Sequence, residues 1–223
     1  MDNFDMQNKE DLEDEKLKYL YKEANDYVKK KVEILNLIVD EYYNLNLKEE
    51  EIKRISYQMN HNLEEIKDNI LNIFDKLFEN INNKQMNENK NTIKYINLSF
   101  LKTRLLENKA VFLIEAFDNK FFLDNIKNNV ELELNFLYED YFDNNFEDEL
   151  LQKHGFYINK NDLKNIKIDI SIKYIVVVAN IIGFLIDDIV KLESFELINK
   201  ENDMKFLIGE YRAKSFLIYN HKI

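Results

Sequence analysis

The stretch "AVFLIEAFDNKFFLD", Ala110 to Asp124, decides the fold class. Its first eight residues are apolar except for Glu115 and rich in Val, Ile and Phe, which is the composition of a buried strand. "DNK" follows, and Asp and Asn both tolerate the left-handed backbone angles of a tight turn. Apolar character returns in "FFLD", so the stretch reads as a hairpin. Helical spacing dominates most of the rest of the chain, without regular strand–helix alternation, and this hairpin with a few strands late in the chain makes the protein α+β and predominantly helical, with a small antiparallel sheet.

Downstream, Leu132 to Leu151 is expected to be helical with Leu134, Leu137, Tyr141, Leu150 and Leu151 inward, although "VELELNF" at its start alternates like a strand. "KHGF" reads as a helix end, with Gly155 in the left-handed position after the last turn and Phe156 folding back. Asn161 is the candidate cap of the next helix. "YIVVVANIIGFLI", Tyr174 to Ile186, is thirteen residues long and closed by Asp187 and Asp188. A membrane span needs about 20 residues, so this is expected to be a buried element of the core, helix or strand. "MKFLIGEY" and "KSFLIYN" read as two short strands around "RA".

Upstream, "NNKQMNENKNT", Asn82 to Thr92, carries one apolar residue, Met86, and reads as a polar linker. The chain thus divides into a helical module over 1–81, with 1–11 frayed, the linker 82–92, and an α+β module over 93–223. In the first module Leu17, Leu20, Tyr21, Ala24, Val28, Val32 and Leu35 advance by three and four, and the stripe continues through Ile38 and Tyr42. Asn46 with Glu49 restarts a helix in a variant of the capping box. Ile52, Ile55, Met59, Leu63, Ile66, Ile70, Phe74, Leu77 and Ile81 carry the stripe onward.

Within that module "ISYQMNHNLEEIKDNI", Ile55 to Ile70, has the apolar spacing of a helix-turn-helix. Ser56 sits at the small-residue position, Met59 closes the first helix, and Asn60 takes the turn. Asn62 caps the second helix, with Glu65 as its partner and Ile66 and Ile70 inward. His61 stands where an apolar turn residue is usual. Charge opposes DNA reading: from Leu47 to Ile81 five basic residues face eight acids. Affinity for DNA comes largely from phosphate neutralisation; Lys53, Arg54 and Lys67 are the candidates for supplying it, and the Lys29, Lys30 and Lys31 cluster could touch a backbone but reads more simply as a solvated face.

"IEAFDNK" brings Glu115, Asp118 and Lys120 near a strand end, an arrangement of the kind metal-dependent nucleases use to hold Mg²⁺ and orient water. A hairpin turn in a chain rich in Lys and Asn has the same appearance, and no further upstream acid is identifiable. Asp187 and Asp188 are candidates for perturbed carboxylates, or mark where a helix face enters water. His61, His154 and His221 lie on different elements and form no i,i+4 metal pair.

Composition bounds the rest. With 223 residues, 45% of them hydrophobic, and with 16 Phe and 13 Tyr, the chain can bury a core without covalent staples. It has no cysteine, which excludes disulfides and thiolate chemistry. Its only glycines are Gly155, Gly183 and Gly209, so neither a Walker loop nor a dinucleotide fingerprint can be written. No G-x-S-x-G elbow occurs. A net charge of −11 disfavours nucleic acid and anionic membranes as non-specific partners. The first residues carry no secretory pattern, and the cytoplasm is the expected compartment.

The sequence therefore points to a soluble, non-enzymatic interaction or regulatory protein, with no cofactor and no metal expected. Its partner, another protein or a second copy, would dock on the N-terminal helices; Tyr42 and Tyr43 there, or Tyr138 and Tyr141 in the second module, are candidate anchors. Three other readings remain: a helix-turn-helix regulator using residues 52–81, an acidic inhibitor that mimics nucleic acid, and a metal-dependent nuclease.

Overall fold

The strand at Ala110 to Phe117 is present in the computed structural model as β2, Val111–Phe117, in the interior of a five-stranded sheet. The structure describes residues 18, 20–38, 62–87, 90–107, 109–137, 144–171 and 174–222. In chain order these form α1 (20–38), α2 (Leu63–Asn87), β1 (Ile93–Phe100), β2, β3 (Asn128–Glu133), α3 (Asn144–His154), α4 (Lys160–Ser171), α5 (Tyr174–Ile189), α6 (Glu193–Leu197), β4 (Lys200–Glu210) and β5 (Ser215–Asn220). The fold is α+β and largely helical. None of the described helices is long and apolar enough to cross a membrane.

The sheet order is β3-β2-β1-β4-β5. Three of its four pairings are antiparallel, and β1 with β4 is parallel. A parallel pair needs a long crossover, and here it contains β2, β3 and four helices. Strand alternation gives the sheet two unlike faces. On one, Ile96, Leu98, Phe100, Phe112, Ile114, Phe206 and Ile208 are buried in the core. On the other, Asn97 lies opposite Glu115, and Ser99 opposite Leu113.

Helix α2 covers the apolar face. Its buried residues Ile66, Ile70, Phe74, Leu77, Phe78 and Ile81 follow the 3.6-residue period. Phe74 meets Phe206 of β4 at 6.3 Å between ring centroids, and Phe78 meets Phe195 of α6 at 5.1 Å. The helix does not stop at Ile81. Asn82 to Asn87, expected as linker, form its last turns, and Gln85 clamps the start of β4: its Nε2 donates to the Asn199 carbonyl at 2.8 Å and its Oε1 accepts the Asn199 N–H at 2.8 Å.

Several expectations shift. "FFL", Phe121–Leu123, is a 3₁₀ turn, not the second strand of the hairpin; Phe121 has φ 54°, outside any strand conformation. The strand that follows β2 and pairs with it is "NNVELE", so the alternation at Val130 to Glu133 prevails over the helical reading from Leu132; the described helix that follows is Asn144–His154. Gly155 does follow the end of α3, but its φ is not positive. A Cβ there would lie 2.3 Å from the Leu151 carbonyl oxygen, so close backbone approach is what requires glycine. The cap of α4 is Asn159, not Asn161: its Oδ1 accepts the N–H groups of Asn161 and Asp162, while Asp162 accepts the Asn159 N–H in return. The run from Tyr174 is helix, because Ile175, Val178, Ile182, Leu185 and Ile189 form a single buried stripe.

Helix α1 buries only the C-terminal part of its expected stripe. Ile34, Leu35 and Ile38 reach the core, and Tyr27 and Lys31 fix the helix against the α3–α4 region. Lys31 pairs with Asp162 at 2.8 Å, and Tyr27 packs between Phe156 and Tyr157. Phe156, expected to fold back on its own helix, meets α1 through Tyr27 and is largely exposed. The outer part of the apolar stripe is left facing water.

Candidate functional site

The end of β2 holds the most concentrated polar chemistry among the described residues. Lys90, Asp118 and Asp124 are all buried there. The Lys90 ammonium donates to a carboxylate oxygen of Asp124, to the Ala116 carbonyl at 3.2 Å and to the Ile126 carbonyl at 2.6 Å, which uses its three protons. Asp124 also accepts the N–H groups of Asp118 and Ile126, each at 3.0 Å. Asp118 accepts from Asn91 Nδ2 at 2.7 Å and from the Lys120 N–H at 2.8 Å. Burial works against the Asp118 charge, but these hydrogen bonds and the nearby Lys90 charge outweigh it and hold the carboxyl below its ordinary value.

This arrangement accounts for the turn without calling on catalysis. Both oxygens of Asp118 are occupied, the Lys120 side chain is exposed, and Glu115 lies on the sheet face shared with Asn97. Of the three residues singled out in the sequence, Asp118 is thus engaged within the turn, Lys120 points to solvent and Glu115 belongs to the sheet face. Among the described residues no group of three or more His, Asp or Glu could hold a metal ion. Lys90, Asn91 and Asp124 organise the turn, yet the sequence gives no sign of it: two sit in a polar tract and the third looks like another surface acid.

On the second sheet face, Glu115 and Asn97 each keep a buried oxygen without a partner, Oε2 and Oδ1 respectively. Asn97 Nδ2 donates to Ser99 Oγ at 2.8 Å. Burial pushes the Glu115 carboxyl above its ordinary value, against the opposing charges of Lys127 and Arg212.

Of the helix-turn-helix residues, Asn62 to Ile70 are described, and Ile66 and Ile70 point inward as expected. Ile52 to His61, including Lys53 and Arg54, lie outside the described residues, as do the Asn46–Glu49 cap, Leu17, Tyr42, Tyr43, Tyr138 and Tyr141. Lys67 pairs with Asp188 at 2.7 Å, which joins α2 to α5; the hydrogen bond and charge raise the Lys67 pKa and lower that of Asp188. Asp187 is exposed. Burial, with Lys200 nearby, pushes the His221 imidazole down.

Among the described residues, α1 carries an exposed apolar strip. On α1, Leu20, Tyr21, Val28 and Val32 are 54%, 66%, 56% and 49% exposed. A shallow hollow of about 640 Å³, which Leu20 borders, lies between α1 and the Phe156–Tyr157 pair. The chain matches no protein-family model, no curated protein and no solved structure.

Proposed function

We propose that this chain is a non-enzymatic protein-interaction module whose first helix receives a partner protein. The observation that carries this reading is the exposed strip of Leu20, Tyr21, Val28 and Val32. Isolated exposed apolar residues need no explanation, but a contiguous strip along one helix marks an interaction site. Residues 18–38 also hold five lysines against three acids, in a chain whose net charge is −11. A partner that covers the strip with its own apolar face and carries acids at the rim fits both features.

The test is affinity recovery of the tagged chain from its native lysate, with and without nuclease, alongside the double variant Tyr21→Asp, Val28→Asp. The expected result is a protein partner that survives nuclease and is lost in the variant, while the thermal transition of the variant stays intact. A monodisperse monomer that recovers nothing overturns the reading. So does a partner released by nuclease, or one that the variant retains.

A further inference from the structure

Strand β5 closes one side of the sheet, and among the described residues no strand lies beyond it. Its outer row of N–H and C=O groups is a template for another extended chain. Natural edges are protected by charge, proline or a bulge on the strand; "SFLIYN" has neither a charged residue nor a proline, and its one irregularity against β4 falls at Ile218, which leaves Ser215 to Leu217 in regular register. Phe216 and Leu217 are 67% and 57% exposed. An apolar groove of about 590 Å³ opens beside Phe216, lined by Ile175, Val176 and Ala179 of α5 and by Ala213.

The charges around this edge select the occupant. Residues 211–222 contain Arg212, Lys214 and Lys222 and no acid, in a chain of net charge −11. Glu210, at the rim of the groove, is held by Lys102 at 2.5 Å. In antiparallel pairing of β5 with a second copy, the Arg212–Lys214 end of one strand would lie beside the Lys222 end of the other. Like charges brought together in this way oppose pairing.

We infer that the β5 edge docks an extended acidic segment of a partner protein, which joins the sheet as a further strand and places one apolar side chain in the groove. Backbone hydrogen bonds supply the register, the groove selects the apolar residue, and the flanking cations select the acids. This surface is separate from the strip on α1.

The test titrates the full chain into a fluorescein-labelled, end-blocked peptide, EDVFVDE, and follows fluorescence anisotropy. The expected result is saturable binding that weakens roughly tenfold or more in Lys214→Glu with Lys222→Glu, and that falls as salt rises. The charge-reversed peptide KKVFVKK should bind roughly tenfold more weakly, and EDVFVDE with alternate amides N-methylated should not bind. Tyr21→Asp should leave the titration unchanged, which separates this result from the fate of the α1 reading. The inference is overturned by absence of saturable binding, by equal binding of the basic or N-methylated peptide, or by a wild-type dimer that Phe216→Glu dissolves.

Discussion

Replacing Lys90 with Met tests whether the turn after β2 is a structural keystone. Methionine fills most of the space of the lysine stem but removes the ammonium. The Lys90 side chain is fully buried and that of Asp124 nearly so, which leaves little water to replace the lost partner. Asp124 keeps its two backbone donors but loses its counterion, and the carbonyls of Ala116 and Ile126 lose a donor. Breaking a buried pair from one side costs about 3–5 kcal/mol. In a chain of this length each kcal/mol moves the melting temperature by about 2–4 °C, so a fall of roughly 6–20 °C is expected. Urea unfolding followed by circular dichroism measures the free energy, and calorimetry the midpoint. A double-mutant cycle with Asp124→Asn should show coupling of at least about 1 kcal/mol, because the two side chains share one network. A loss below about 1 kcal/mol, or strict additivity, would refute the reasoning.

Glu115→Gln should remove a pH dependence. Burial places the folded-state pKa above the ordinary value of 4.5, so folding contributes proton binding in the interval between the two. Stability is fully present below the unfolded value and is lost as pH rises through the folded one. The variant should flatten that part of the stability–pH curve and be the more stable form at neutral pH; an unchanged slope in urea titrations across the interval would count against it. Asn159→Ala should cost about 1 kcal/mol by removing the α4 cap, whereas Asn161→Ala should stay within about 0.5 kcal/mol. Equal losses in the two, measured by the same unfolding assay, would place the cap wrongly.

Elements with a strong local signal were legible from sequence. β2 announces itself because Val111, Phe112, Leu113 and Ile114 form an apolar β-branched and aromatic run, and α2 because its apolar residues hold one period from Ile66 to Ile81. Phe121 to Leu123 misled because apolar content says nothing of backbone angle, and Phe121 carries a positive φ. The start of β3 was ambiguous for a related reason: "VELE" is alternating, but its glutamates and leucines are also good helix formers, and pairing with β2 settles it. The orientation of α1 depends on Tyr27 and Lys31 finding Phe156 and Asp162 far along the chain, which no local spacing encodes. The network at Lys90 was hidden in the same way, since a buried lysine in a polar tract is indistinguishable from an exposed one until its three acceptors are brought around it.

The parallel pairing of β1 with β4 has a consequence for synthesis. The strands that meet in mid-sheet are far apart in time, because β1 ends at Phe100 and β4 starts at Lys200. At about 5–20 residues per second, a ribosome needs roughly 5–20 s to supply the missing strand. Once Glu133 has been added, β1, β2 and β3 are all available to pair as a local meander, and its β1 edge has no neighbour until β4 arrives. The future centre of the sheet is thus, for a time, its margin, and a nascent chain stalled before Lys200 would offer that margin to any extended polypeptide nearby.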